Sequence, residues 1–329
     1  MDYNTNRKPG RDYTVELWRF IFCMVVLGFH FFVKTKYDFL SAGYLAVEFF
    51  FLVSGYGIYA YYVKQLQGRS LKDKIYAFGM YIGKRLLKLY PLYLLSLLCM
   101  LAFCVISKGW NFSQTVSYLS RGWAEFFLLQ CSPGGGGAAL ILPNWYVAAL
   151  FWGSAILLLG LLFTGKFGGC VICPVVSFLI YRYYFYQAGK IDVIYSYHAI
   201  ARALAGLALG VCIGFVSQLL WDKWFVGEGK EESASGKRKT RLRYGLYTLS
   251  NLILAGILVY TGYGRRSRVD FLVIVLYAVS LLFLFSVRID PGEKKKALFS
   301  RLSGVTYPVY LFQMPVIEML FWIFAVILK

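Results

Sequence analysis

The sequence predicts an all-α integral membrane protein, a polytopic bundle of 9–10 membrane-spanning helices. Three observations carry that prediction. Hydrophobic residues make up 59% of the 329 residues and charged ones 16%, against roughly 45–50% and 25% in soluble domains. Nine apolar runs are each long enough to cross a bilayer, which takes about 20 residues. Lysine and arginine collect between alternate runs rather than evenly.

A soluble chain of this length cannot hide so much apolar surface in one core, which leaves lipid as the solvent. An aromatic share of 19% suits a membrane, because Tyr and Trp settle at its interfaces. The runs lie near 14–33, 43–63, 88–107, 143–164, 168–186, 198–220, 244–262, 270–287 and 304–328. A tenth stretch, Val116–Gln130, is short and carries Arg121 and Glu125; it is expected at the interface or as a re-entrant segment.

Orientation follows from the loops. With the N-terminus inside and nine spans alternating, the inner segments hold 23 basic residues and the outer ones 8. That bias places segment 1–13 in the cytoplasm of a multi-pass protein of the plasma or inner membrane. Residues 14–329 then form one membrane domain. A charge-dense loop, 221–243, is expected as a flexible cytoplasmic linker within it. The net charge of +19 fits loops facing anionic lipid, not nucleic acid, since the charges sit between apolar runs.

The seven cysteines fall mainly in apolar runs and read as small packing residues. Cys170 and Cys173 have metal-like spacing without a second pair, and no metal is expected. The Gly134–Gly137 run is expected as an outer loop. It lacks the Lys-Ser/Thr ending of a phosphate-binding loop and follows no strand.

Ionisable residues inside spans cost several kcal/mol, so each is a functional candidate. The first helix carries Glu16, Arg19 and His30. Glu16 and Arg19 stand at i,i+3 and can pair. Arg19 and His30 are eleven positions apart, three turns plus ~20°, so they share one helix face with ~16 Å of axial rise between them. His30, one of two histidines, suits general-base work near neutral pH. Glu48 lies within the second span and needs a partner, with Arg19 or His30 the obvious choices; against His30 it would fix the imidazole tautomer. Lys84, Arg85 and Lys88 precede the third span and can hold phosphate or simply anchor the helix to the inner surface. Ser54, in Ser54-Gly55, lines a path or a small-residue seam. Arg182 and Arg202 meet an anionic group or snorkel to headgroups, and His198 sits at the interface.

Five segments in order resemble the acyltransferase 3 family of membrane acyltransferases. Arg19 to His30 is similar to its Arg-x10-His signature. Glu48-Phe49-Phe50-Phe51-Leu52-Val53-Ser54-Gly55 resembles its acidic second-helix stretch, and Arg85-Leu86-Leu87-Lys88-Leu89-Tyr90-Pro91 its Arg-x-x-Arg-x-x-Pro segment. Trp145-Tyr146 resembles the opening of its fourth helix, and Thr306-Tyr307-Pro308-Val309-Tyr310-Leu311 its final-helix Ser-Tyr-x-x-Tyr-Leu pattern. Lys88 stands in place of the second Arg and keeps the charge without a bidentate grip. Thr306 replaces Ser, and Gln313 stands where the family often has His.

The resemblance implies transfer of an acyl group, most often acetyl, from cytoplasmic acyl-CoA (acetyl-CoA as donor) to a hydroxyl of an envelope glycan or lipid-linked sugar. It implies His30 as the reacting base or acyl carrier, with Arg19 and Glu48 beside it, and Lys84, Arg85, Lys88 and Ser54 toward the donor. Trp145, Tyr146, Arg202 and Tyr307 fall toward the acceptor. Intramembrane charge suits two other readings: a transporter or flippase for a small or lipid-linked substrate, and an acyltransferase-like membrane module without turnover, to which Lys88 and Gln313 would point.

Overall fold

The computed structural model describes residues 12–135, 139–225 and 234–327. The chain forms helices throughout: α1 (Tyr13–Thr35), α2 (Ala46–Gln65), α3 (Leu71–Lys108), α4 (Phe112–Phe126), α5 (Trp145–Phe167), α6 (Cys173–Gln187), α7 (Tyr197–Trp224), α8 (Ala234–Tyr263), α9 (Val269–Val287), α10 (Glu293–Gly304) and α11 (Thr306–Ile327), with no strand among the described residues. The surface at which α1 begins is the near face, and the one it reaches at Thr35 the far face.

Eight stretches are long and apolar enough to cross a membrane. One of them, Leu142–Gln187, is 46 residues long, about twice what one crossing needs. Its two ends meet beside the start of α7. The Arg202 guanidinium lies 5.2 Å from the Trp145 ring at the beginning of α5, and Tyr184 near the end of α6 donates to the His198 carbonyl at 3.1 Å. The stretch therefore doubles back, giving nine crossings among the described residues. The reversal is built at Gly165 (φ 58°, ψ −138°), a conformation glycine adopts without steric cost, followed by a π-turn over Gly168–Ile172.

The element boundaries depart from the sequence expectations in several places. The stretch 116–130 does not cross. It belongs mostly to α4, a 15-residue helix opened by a capping box between Asn111 and Gln114, which turns back along α3 so that Glu125 and Phe126 accept through their main-chain carbonyls from Tyr93 and Tyr90, ~22 Å of helix rise before the far end of α3. The third span begins at Leu71, because Ser70 caps a 38-residue helix. At 1.5 Å per residue that is about 57 Å, so its first turns project beyond the hydrocarbon. The expected linker 221–243 is largely helical where described: α7 runs to Trp224 and α8 starts at Ala234, while 226–233 lies outside the described residues, as do 1–11 of the N-terminal segment and 136–138, which take in the second half of the glycine run. A further helix, α10, precedes the last expected span, 304–328, which is α11.

Helix α7 is the axle of the bundle. It packs against α2, α5, α6 and α9, and Ala199, Ala203, Ala205, Ala208 and Val211 along it are fully buried. Small residues let backbones approach where lipid offers no hydrophobic drive for association. The closest approach is to α2, where a Cβ on Gly55 would stand 2.8 Å from the Cα of Gly210 and nearer still to the Leu207 carbonyl. Outward-facing residues such as Phe163, Phe178, Leu252, Val259 and Phe324 are at least 60% exposed and form the lipid-facing surface.

Because backbone, not a flexible side chain, blocks the space at the α2–α7 seam, Gly55→Ala and Gly210→Ala should each destabilise the bundle by about 1–3 kcal/mol, the usual cost of overpacking. Thermal unfolding in one detergent should show both melting below wild type, while Gly57→Ala, with open space around its Cα, should melt with it.

Candidate active site

A polar seam runs the length of α1 where it lies parallel to α10 and α11. Near the near face, Arg19 Nη1 donates to Glu16 at 3.0 Å and to Ser303 Oγ at 3.3 Å, and the Ser303 hydroxyl donates to the same carboxylate. One turn further on, Cys23 Sγ donates to the Thr306 carbonyl at 3.3 Å. Then the buried Gln313 amide lies beside the His30 imidazole. At the far end Lys34 pairs with Glu318 at 2.6 Å. The expected Glu16–Arg19 pair is therefore present, with Ser303 as its third member.

His30 Nδ1 lies 2.9 Å from the Val26 carbonyl. A carbonyl only accepts, so Nδ1 carries the proton and Nε2 keeps its lone pair. His30 is half-buried. Gln313 is 3% exposed, and both its amide oxygen and nitrogen lack a partner in hydrogen-bond geometry. An amide so placed costs free energy unless something else engages it.

In the near half, three other helices bring polar groups to the same seam. The Tyr146 phenol at the start of α5 meets the Ser54 hydroxyl of α2 and lies within electrostatic reach of Arg19 and Arg85. Tyr310 packs edge-on against Tyr146 with ring centroids 5.3 Å apart and donates to the Pro143 carbonyl. Tyr307 donates to the Leu89 carbonyl at 2.7 Å, where Tyr93 at position i+4 frames the same space. Arg85 donates to the Tyr81 hydroxyl at 2.5 Å, while its Nε is buried without a partner. Lys84 and Lys88 are exposed, so of the three α3 cations only Arg85 turns inward.

Glu48 corrects an expectation. It meets neither Arg19 nor His30. Its carboxylate accepts from Arg202 Nε at 2.6 Å and from Tyr181 at 2.8 Å, with both members of the ion pair fully buried. The cause is the glycine seam, which turns the start of α2 toward α7. Arg202 is correspondingly no headgroup anchor. It is sealed under the Trp145 ring, donates to the Tyr44 carbonyl at 3.3 Å, and reaches Asp192 at 3.5 Å. Asp192 also pairs with Arg266 at 2.7 Å and lies in the electrostatic neighbourhood of His30. Glu48 is thus linked to His30 at two removes. His198 touches Tyr184, which lies within electrostatic reach of Arg202 and Glu48.

Glu125 was legible in the sequence only as a charge in a weak apolar stretch. It is 3% exposed and ties the end of α4 to the segment leading into α5, accepting from the backbone N–H groups of Leu140 at 2.6 Å and Ile141 at 3.1 Å. Tyr93 donates to its main-chain carbonyl at 2.7 Å. Burial pushes its carboxyl up to about 7, against the lowering effect of those N–H donors.

A family model described as an acyltransferase domain matches residues 12–327. No curated protein and no solved structure matches the chain at a significant level.

With its folded value raised above the ordinary carboxylate value of about 4.5, Glu125 favours the folded loop most at low pH, and that contribution is lost as pH rises from about 4.5 through about 7. Hydrogen exchange at Leu140 and Ile141, corrected for intrinsic rate, should therefore quicken between pH 6 and 8 in the wild type. In Glu125→Gln the corrected rate should be flat over that range.

Proposed function

The chain belongs to the acyltransferase-domain family matched over residues 12–327, and from that premise we propose that it transfers an acyl group, acetyl by preference, from acyl-CoA to a hydroxyl of an envelope glycan or lipid-linked sugar. In this reading the near face is cytoplasmic, as the basic loops favour. The activity is that of a transferase of acyl groups other than aminoacyl groups.

The observation that carries the reading is the state of His30. With Nδ1 committed to Val26, Nε2 keeps its lone pair beside the Gln313 amide, in the far half of a polar seam whose near end holds Arg19. The donor enters from the near face, its phosphates drawn to Arg19 and Arg85, with the exposed Lys84 and Lys88 at the entrance. Ser54, Tyr146 and Tyr307 line the way for the thioester arm. The acceptor arrives from the far side, toward Trp145 and Arg202.

The acceptor O–H proton passes to His30 Nε2 as its oxygen attacks the thioester carbonyl carbon. The tetrahedral intermediate collapses with cleavage of the C–S bond, and the imidazolium returns the proton to the departing thiolate. Gln313 has its amide oxygen free to accept from the protonated Nε2–H. The Glu48–Arg202 pair holds Asp192 close enough to steady the imidazolium charge.

Removing a general base costs typically 10²–10⁴-fold in rate. His30→Ala should lose that much of kcat with purified protein, labelled acetyl-CoA and an envelope-glycan acceptor. Arg85→Ala should raise the donor KM about ten- to a hundredfold with a smaller change in kcat, one lost charged contact being worth about 1.5–3 kcal/mol. Gln313→Leu should lower kcat with little change in donor KM. Wild-type rates in both His30→Ala and Arg19→Ala would overturn these roles.

A further inference from the structure

Away from the α1–α11 seam, a groove of about 450 Å³ opens sideways between α6, α7 and α9. Pro174, Phe178, Phe185, Leu209, Phe271 and Ile274 supply most of its wall. It lies within membrane-crossing helices, and its flanks are lipid-facing: Phe178 is 64% exposed and Val275 55%. A hydrocarbon chain can enter such an opening directly from the bilayer.

The mouth, toward the far face, carries charge. Arg182 lies 5.2 Å from the Tyr186 ring, and Arg268 lies 5.2 Å from the Phe185 ring. Both guanidiniums are exposed, and among the described residues neither has a carboxylate within ion-pair distance, unlike the neighbouring Arg265 and Arg266. Stacking on an aromatic face leaves the edges of a guanidinium free for a planar grip on phosphate. The inner end of the groove is Tyr181, whose hydroxyl donates to Glu48, the partner of Arg202. The groove therefore ends on the polar network beside Trp145.

We propose that this groove is a lateral binding site for a single-chain lipid phosphate, which enters from the bilayer and presents its headgroup at the far face. The proposal rests on the acyl-transfer reading in one respect, that the lipid so held carries the acceptor sugar. The volume falls within the ~300–1,000 Å³ of pockets that hold one small ligand, which suits one chain and not the pair of a phospholipid. Two unpaired arginines at the mouth select an anion over a neutral lipid. An isoprenoid chain bearing phosphate or diphosphate satisfies both conditions.

The test needs no acyl donor, so its failure and the failure of the acyl-transfer reading are separable. The full chain is placed in phosphatidylcholine nanodiscs with a photoreactive polyisoprenyl phosphate, and cross-linked peptides are mapped. Labelling should fall on the peptides of α6 and α9 that contain Phe178, Phe185 and Ile274. Unlabelled polyisoprenyl phosphate should displace it, and polyisoprenol should not. The double variant Arg182→Gln/Arg268→Gln, which alters only exposed side chains, should label about tenfold less, and Ile274→Trp should block the groove. Equal displacement by polyisoprenol or phosphatidylglycerol, or undiminished labelling of the double variant, would show ordinary boundary lipid and overturn the proposal.

Discussion

The parallel seating of α1 on α10 and α11 is the constraint on which the candidate site depends. Its polar contacts pair Arg19 with Ser303, Cys23 with Thr306 and Lys34 with Glu318, each separated by 283 or 284 residues in sequence. A constant offset means that the two ends of the chain run side by side without slipping. The His30–Gln313 neighbourhood falls in the same register. In hydrocarbon, polar groups on two helices are satisfied chiefly by each other, so a shift of one turn would strand a cation, a thiol and a histidine together. The seam is thus at once a registry device and the axis along which the reactive groups are arrayed.

A second constraint holds the far side. Burying Glu48 and Arg202 is expensive for each ion alone, and their attraction compensates only because the remaining hydrogen-bonding positions are also filled. Tyr181, Tyr44, Asp192 and the Trp145 ring fill them. These groups come from α2, α5, α6, α7 and the loops between, so the pair can form only when those elements are assembled together. The glycine contact between Gly55 and Gly210 is what allows it. A bulkier seam would move α2 away from α7 and leave two unpaired charges in the interior.

Much of the architecture was legible in the sequence because bilayer thickness acts locally on a single helix. Nine apolar runs correspond to the nine crossings, the Arg19–His30 alignment needs only helical geometry, and Glu16–Arg19 is an i,i+3 pair. What remained hidden is relational. No local pattern distinguishes an arginine that snorkels from one sealed inside, so Arg202 stood open between an anionic group and the headgroups, and Arg19 or His30 were the partners expected for Glu48. Arg85 and Lys84 look equivalent as residues in a basic run, and only helix phase separates the inward side chain from the outward one. Glu125 is defined by backbone donors fifteen and sixteen positions away, a distance at which composition carries no signal.

The axial separation of the two ends of the seam bears on what kind of transfer this bundle suits. Arg19 and His30 are ~16 Å apart along α1, about half the hydrocarbon thickness of ~30 Å. In the proposed reading, a donor held by its anionic part near Arg19 and Arg85 must therefore deliver its reactive carbon on a long, narrow arm. An acceptor approaching from the far face need not enter the membrane at all beyond His30. The lining follows that division. Tyr146, Tyr307 and Tyr310 give the near half aromatic walls with their hydroxyls turned to protein oxygen atoms, which suits a slender arm and offers little to a hydrated sugar. The far half carries the charged groups Asp192, Arg266 and Arg202. In the acyl-transfer reading proposed above, this division keeps bulk water from the thioester and makes the half-buried imidazole the meeting point of two substrates with separate entrances.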